Sequence, residues 1–185
     1  MARVVLVRHG RAAAGFGEHA DPGLDDVGRA QARAMAAAMA SWGPMPIVSS
    51  PLARARQTAE PLEALWDQTA TVEPAVGEIP TPAGVEVAER PAWLRAVLGG
   101  RWTAVVPGSE LGGWRDRLVE ALISLEDDTI VTTHFVAINV AVAVATGDDR
   151  MTVFHPDHCS RTVLDTSGAR LALVELGGQA ETEVR

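Results

Sequence analysis

Three short apolar runs, each leading directly into polar residues, constrain the fold of this chain more than any other feature. Residues 4–7 and 129–133 are continuous aliphatic and β-branched runs, and residues 46–49 are a third. Such runs are typical of parallel strands covered on both faces. Stretches with helical spacing follow them, at 25–41, 52–66 and 135–145. Alternation of this kind predicts an α/β fold with three layers, α/β/α, around a mainly parallel central sheet.

Local signals predict where the first two helices begin and end. Asp25 is a candidate N-cap for the first helix, which we expect to stop before Pro44. Ser50 followed by Pro51 has the form of an N-cap with proline at the first helical position. Pro61 is expected to kink or split that second helix.

The second half of the chain is less regular. Residues 74–113 are rich in Pro, Gly and Trp, which predicts an irregular, substrate-facing excursion rather than a core layer. Helical spacing returns at 114–125. Residues 162–165 and 171–176 flank a Thr-Ser-Gly turn, as in a hairpin, and residues 177–185 are expected to fray.

Bulk properties restrict the class of protein. A length of 185 residues with 47% hydrophobic residues predicts one domain over residues 1–185. The net charge of -8 argues against a nucleic-acid partner. Cys159, the sole cysteine, is expected to be a small buried hydrophobe in a reduced compartment. Without a signal-peptide pattern or a membrane-length apolar segment, the sequence predicts a cytoplasmic protein with no membrane partner, and it gives no oligomeric state.

Basic and imidazole side chains stand where the predicted strands end. Arg8 and His9 follow the first strand, Arg54 falls in the first turn of the second helix, and His134 follows the third strand. Ligands of open α/β sheets bind at the carboxyl ends of the strands, where helix N-termini also attract anions. This convergence of positive groups in an acidic protein predicts a phosphate pocket.

Four ordered blocks resemble the histidine phosphatase (phosphoglycerate mutase-like) superfamily, and the small phosphatase branch in particular. Residues 6–10 resemble its RHG motif, and residues 49–59 (SSPLARARQTA) resemble its second block. Residues 24–32 are similar to its usual helix opening, and residues 131–134 stand where its second histidine belongs. The resemblance implies a phosphoglycerate mutase-like fold.

The resemblance also implies the chemistry of the site. His9 would attack phosphorus and form a phosphohistidine, while Arg8, Arg54 and His134 hold the phosphoryl oxygens. The family takes its leaving-group proton from a carboxylate in the segment that Glu78 occupies. The other carboxylates considered there are those of Glu73, Glu86 and Glu89.

Two positions depart from the family pattern. Arg11 follows the RHG motif where an acidic or amide residue is frequent, so it either adds a phosphate contact or is a surface arginine. Phe135 follows His134 where glycine is frequent, so it either narrows the pocket or packs beneath it.

Remaining histidines and tryptophans have less specific interpretations. Three further histidines, His19, His155 and His158, do not have metal-ligand spacing with nearby cysteines or carboxylates. The sequence therefore predicts no metal and no cofactor. Three tryptophans lie in or beside the irregular segment: Trp93, Trp102 and Trp114. Their rings could line the leaving-group site or pack in the core.

The sequence therefore predicts a metal-independent hydrolase that acts through a phosphohistidine on a small phosphorylated metabolite. Three alternatives stay open: a mutase-type phosphotransferase, a protein phosphohistidine phosphatase and a non-catalytic phosphate-binding domain. Family mutases tend to carry a longer insertion before the second histidine, and the compact segment of this chain disfavours that alternative.

Overall fold

A computed structural model describes residues 2–14, 21–86, 88–168 and 170–180 of the chain. Within these residues six strands form one mixed sheet. The strands are β1 (Ala2–Arg8), β2 (Ile47–Ser49), β3 (Thr71–Val72), β4 (Thr129–Thr133), β5 (Arg161–Ser167) and β6 (Arg170–Glu175). Their order across the sheet is β3-β2-β4-β1-β5-β6.

The parallel part of the sheet places the ends of β1 and β4 next to each other. β1 pairs in parallel with β4, β4 with β2 and β2 with β3, whereas β5 and β6 run antiparallel to their neighbours. Arg8, the last residue of β1, is in register with Thr133, the last residue of β4. The residues that follow the two strands, His9 and His134, therefore meet at one edge of the sheet.

Helices cover both faces of the sheet, which confirms the predicted three-layer α/β/α fold. The described helices are α1 (Asp26–Ala38), α2 (Ala53–Trp66), α3 (Arg90–Leu98), α4 (Glu110–Ile123) and α5 (Phe135–Thr146). Successive side chains of a strand point to opposite faces. Val5 and Val7 accordingly pack with α1 and α2, and Val4 and Leu6 pack with α4 and α5.

Of the two predicted helix N-caps, the one at Asp25 is confirmed and the one at Ser50 is wrong. Asp25 is the N-cap of α1, and its carboxylate accepts the Gly28 N–H at 2.7 Å, so that prediction is confirmed. The Ser50 N-cap is wrong: α2 begins at Ala53, with Leu52 in the cap position. The Ser50 hydroxyl lies instead 2.7 Å from the ring of His134.

Other element boundaries also differ from the prediction. α1 ends at Ala38, before the predicted residue 41, and α2 continues through Pro61 without splitting. The short strand β3 was not predicted, because two residues are too few to give a periodic pattern. α4 begins at Glu110, where the Ser109 hydroxyl accepts the Gly112 N–H at 3.2 Å.

The segment 74–113 is more regular than predicted. It contains α3, the first turn of α4 and two 3-10 helices, Pro74–Val76 and Trp102–Ala104. Its apolar residues are spaced too widely to give a periodic signal, yet several of them are buried in the core against α4 and α5: Val76, Ile79, Leu94 and Trp102. This segment is therefore partly a core layer.

The predicted hairpin is confirmed as β5 and β6, with Gly168 in the turn at a φ of 52°. Residues 177–180 do not fray as predicted, because two backbone bonds tie them to the loop before β5. The Asp157 N–H donates to Gly178 O at 2.8 Å, and the Ala180 N–H donates to His155 O at 2.9 Å. Residues 181–185 lie outside the described part of the chain. No helix among the described residues has the length and apolarity needed to cross a membrane.

Candidate active site

Two buried imidazoles stand at the carboxyl ends of the central parallel strands. The His9 N–H donates to Thr133 O at 2.9 Å, which continues the β1–β4 ladder by one bond. His134 caps the N-terminus of α5. The two ring centroids are 5.2 Å apart, and the exposed fractions are 6% for His9 and 0% for His134. Adjacent strand ends thus bring together two residues that are distant in sequence.

Hydrogen bonds fix the tautomer of His9. Arg54 Nε lies 3.2 Å from His9 Nε2, and His9 Nδ1 lies 2.8 Å from the Gly10 carbonyl oxygen. A guanidinium can only donate, so Nε2 carries the lone pair and Nδ1–H donates to Gly10. Burial, with the charges of Arg54 and Arg8, holds the pKa of His9 well below its usual value. His9 is therefore a neutral imidazole with the lone pair of Nε2 facing Arg54.

The turn after His9 requires glycine for its close approach to α1. A Cβ on Gly10 would lie 2.7 Å from Gly28 O, and a Cβ on Gly28 would collide with Arg11 O. The Gly10 N–H donates to Thr58 Oγ1 at 3.0 Å, and that hydroxyl donates to Arg54 O at 2.7 Å. These contacts join the RHG turn to both α1 and α2.

Arg54 is a buried guanidinium with three polar neighbours. Besides His9, its Nη2 lies 3.7 Å from Glu78 Oε2 and its Nη1 lies 3.8 Å from Asp21 Oδ1. The Asp21 carboxylate also accepts the Ala53 N–H at 2.9 Å, at the first residue of α2. Asp21 therefore holds both the guanidinium and the helix end that carries it. Sequence reasoning missed Asp21, because the backbone N–H that it accepts, that of Ala53, is 32 residues away in the sequence.

Arg8 is a second buried guanidinium of the site, and Phe135 packs against it. Its Nη1 donates to Pro156 O at 2.8 Å, and its guanidinium carbon is 5.4 Å from the centroid of the Phe135 ring. This is a cation–π contact between a 7% exposed arginine and a 4% exposed ring. Burial lowers the pKa of Arg8 from its ordinary value. Of the two outcomes considered for Phe135, the structure thus shows packing beneath a site residue.

Glu78 is the carboxylate that the fold brings to this cluster. Its side chain is 3% exposed, and its Oε2 lies 3.6 Å from His134 Nδ1 and 3.7 Å from Arg54 Nη2. Burial raises the pKa of Glu78, although Arg54 and the Ile79 N–H oppose the shift. Glu73 instead caps a 3-10 helix through the Ala75 N–H, and Glu86 and Glu89 are exposed.

Arg11 turns away from the buried cluster. Its Nε donates to Asp25 Oδ2 at 2.6 Å, and its side chain is 53% exposed. The ion pair ties it to the N-cap residue of α1. A contact between Arg11 and phosphate stays a prediction.

His158 is a neighbour of His9 that sequence reasoning missed. Its Nδ1 donates to His9 O at 3.1 Å, and the two ring centroids are 5.9 Å apart. Burial lowers the pKa of His158. Because β5 pairs with β1, the loop before β5 arrives beside His9, and no local pattern signals that pairing.

The other residues singled out in the sequence pack in the core or around residues of the site. The His155 ring packs on Phe135, with 5.6 Å between ring centroids, and His19 lies outside the described residues. Trp102 and Trp114 are buried in the core and Trp93 packs against it, which is the core-packing interpretation. Cys159 is half-buried, and burial raises the pKa of its thiol to about 12.

Three of the site residues could in principle hold a cation. His9, Glu78 and His134 each offer one ligand atom, and these atoms lie within 4.8 Å of one another. Two imidazoles and a carboxylate are a set that zinc accepts. The charges of Arg8 and Arg54 beside them favour an anion instead. That the protein needs no metal stays a prediction.

Comparison with known proteins identifies the family. The family model described as histidine phosphatase superfamily (branch 1) matches residues 4–178. The chain belongs to this superfamily. The predicted family is thereby confirmed. No curated protein matches the chain at a significant level.

Two solved structures of phosphatases show the same fold as this chain. A phosphoserine phosphatase from Entamoeba histolytica, in complex with 3-phosphoglyceric acid, has a TM-score of 0.74 at 18% identity, covering 98% of each chain. A mycobacterial glucosyl-3-phosphoglycerate phosphatase, in complex with VO3, has a TM-score of 0.73 at 23% identity, covering 94% of this chain and 98% of that one. At these identities the likeness establishes the fold alone.

Proposed function

We propose that this chain hydrolyses the phosphomonoester of a small phosphorylated metabolite through a phosphohistidine on His9. The observation that carries the proposal is the fixed tautomer of His9. Its Nδ1–H is held by the Gly10 carbonyl, so the Nε2 lone pair faces Arg54 at 3.2 Å. A buried, neutral imidazole held in this way is a competent nucleophile at neutral pH.

The charged groups around His9 suit the transfer of a phosphoryl group. Nε2 forms a bond to phosphorus as the bond from phosphorus to the ester oxygen breaks. Arg8 and Arg54 both offer guanidinium donors. A phosphoryl oxygen would accept the Arg54 Nε–H that the His9 Nε2 lone pair accepts in the resting enzyme. His134 offers a third donor to the oxygens as their charge redistributes.

Glu78 is the proposed proton donor and acceptor. Its buried carboxyl has a raised pKa, so it is suited to give a proton to the leaving oxygen. The resulting carboxylate would then take a proton from the water that attacks the phosphohistidine. The cycle returns His9 and Glu78 to their starting forms and releases inorganic phosphate and an alcohol.

A small substrate is favoured by the depth of the site and by the names of the relatives. Arg8, His9, Arg54 and His134 are each less than one-tenth exposed, so the ester must reach into the protein. The two similar structures are a phosphoserine phosphatase and a glucosyl-3-phosphoglycerate phosphatase. Both names denote small phosphorylated metabolites.

A panel of phosphorylated metabolites would test the proposal. We expect release of inorganic phosphate from at least one phosphoamino acid, phosphoglycerate-type acid or sugar phosphate, and none with the His9→Ala variant. Formation of an isomeric phosphoester in place of inorganic phosphate would show a mutase. Release from a phosphohistidine protein but from no metabolite would show a protein phosphohistidine phosphatase. Binding of phosphate with no turnover on any ester would contradict an enzyme.

A further inference from the structure

Ser50 is a buried hydroxyl that the proposed chemistry does not use. It is 0% exposed, as is His134, and its Oγ lies 2.7 Å from His134 Nε2. The same Oγ accepts the Leu52 N–H at 3.3 Å. The sequence pattern predicts a helix cap here, but the helix begins three residues later and the hydroxyl contacts the imidazole.

The direction of the hydrogen bond between Ser50 and His134 follows from counting donors and acceptors. A hydroxyl has one hydrogen to donate and can accept two. Among the described residues, His134 Nε2 is the one acceptor that the Ser50 hydroxyl contacts, while the Leu52 N–H already points at its oxygen. If Nε2 carried a proton, the buried Ser50 hydrogen would have no acceptor, which is unfavourable. The proton of Ser50 therefore points at Nε2, and Nε2 carries a lone pair.

We infer that Ser50 is a positioning residue that fixes the tautomer of His134, so that Nδ1–H points into the phosphate site. The other ring nitrogen supports this geometry. Nδ1 is buried without a hydrogen-bond partner among the described residues, and it lies 3.6 Å from Glu78 Oε2. A donor at that place can bind a phosphoryl oxygen, whereas a lone pair would repel it.

The tautomer matters because His134 is neutral. Burial, with the charges of Arg54 and Arg8, holds the pKa of His134 well below its usual value. A protonated imidazole would donate from both nitrogens, so no neighbour would be needed to select the donor. A neutral imidazole donates from one nitrogen, and its neighbour selects which one. The inference on tautomer depends on geometry alone, and the catalytic consequence rests on the proposed function.

Nitrogen-15 NMR of the histidine side chains would test the tautomer without any substrate. We expect the wild-type His134 ring, assigned by its loss in a His134→Asn variant, to carry its proton on Nδ1 and none on Nε2. A proton on Nε2 would overturn the inference, even in an active enzyme. A folded protein that shows the expected tautomer but hydrolyses no ester would instead contradict the proposed function alone.

Kinetics of three variants would test the consequence. Ser50→Ala should lower kcat/KM by roughly tenfold to a hundredfold, the range seen when the hydrogen-bond partner that orients a metal-bound histidine is removed. Ser50→Thr, which keeps the hydroxyl, should recover part of that loss. Ser49→Ala is the matched control: Ser49 is also 0% exposed, but its hydroxyl donates to Ser50 O at 2.9 Å and not to His134. Equal losses in Ser50→Ala and Ser49→Ala would contradict a specific role for Ser50.

Discussion

Arg54 donates its Nε–H to the nitrogen of His9 that faces the phosphate site, across 3.2 Å. The contact links the first turn of α2 to the end of β1. It keeps Nε2 free of a proton, because a guanidinium cannot accept one. Under the proposed function the same N–H would donate to a phosphoryl oxygen, so one group would serve both the resting imidazole and the bound ester.

Replacing the nucleophile should abolish turnover and the covalent intermediate together. We expect His9→Ala to release no phosphate, and wild-type enzyme quenched without acid to retain label from a phosphorylated substrate. The phosphoramidate should survive base and be lost in acid. His134→Ala is the comparison, because it removes a charge-stabilising group and should still form some labelled enzyme. Turnover by His9→Ala at the wild-type rate would exclude this mechanism.

Removing the proton donor should matter most for poor leaving groups. Glu78→Gln keeps the size of the side chain but cannot transfer a proton, and this commonly costs about a hundredfold to ten-thousandfold in rate. An aryl phosphate with an acidic phenol needs little protonation. The phosphorylation step should therefore slow far more on an alkyl phosphate, measured by rapid quench. Equal effects on both esters would place the acid elsewhere, and Glu73→Gln is the control at a carboxylate that caps a 3-10 helix.

The pH dependence of kcat/KM should reflect opposite shifts in two groups. Burial lowers the pKa of His9, so the nucleophile stays unprotonated below the usual histidine range. Burial raises the pKa of Glu78, so its proton is lost as pH rises above the usual carboxyl range. We expect a bell-shaped profile whose alkaline limb disappears in Glu78→Gln when an alkyl ester is used. An alkaline limb unchanged in that variant would assign it to another group.

The same buried imidazoles should make the fold sensitive to acid. The pKa values of His9 and His134 are lowered in the folded state, and unfolded histidine titrates near about 6.5. The unfolded chain then binds more protons, so stability falls as pH drops below that value, by up to about 1.4 kcal/mol per pH unit for each imidazole. Thermal unfolding from pH 7.5 to 5 should show this slope.

Histidine variants separate this effect from general acid destabilisation. The slope should flatten in His134→Ala, and His155→Ala, at an exposed histidine, is the matched control. An unchanged slope in His134→Ala would show that a different group binds the protons.

Hydrolysis should need no divalent ion. The positive charge that a metal would supply already comes from Arg8 and Arg54, so activity should survive dialysis against a chelator. Vanadate, which adopts the five-coordinate geometry of in-line transfer, should compete with substrate and bind more tightly than phosphate. Loss of activity on chelation, restored by zinc or magnesium, would instead assign a metal to His9, Glu78 and His134.

Much of this site could be predicted because its parts lie at strand ends. Arg8, His9 and His134 follow buried runs, and parallel strands end at one edge of the sheet, so their proximity follows from the pattern. Glu78 was predicted from family resemblance, and its carboxylate lies 3.6 Å from His134 Nδ1. The catalytic roles of these residues remain predictions.

The parts that were missed depend on contacts that leave no local signal. Ser50 resembles a helix cap because a serine before proline has that form, and the imidazole that contacts its hydroxyl comes 84 residues later. His158 reaches His9 through the antiparallel pairing of β5 with β1, a topology that strand patterns do not specify. The helix α3 was missed because nine residues of mixed composition give weak periodicity.

The loop before β5 has a consequence for the order in which this protein matures. Three bonds from it fasten the end of β1: Arg8 Nη1 donates to Pro156 O, the Cys159 N–H donates to Arg8 O, and the Arg8 N–H donates to Ser160 O. Arg8 and His9 are translated about 150 residues before the residues of this loop. A nascent chain that stops before the loop therefore lacks the backbone groups that hold Arg8 at the end of β1, and it lacks His158, which donates to His9 O. We expect no phosphatase activity until the loop has been translated, so turnover would report that synthesis has passed residue 160.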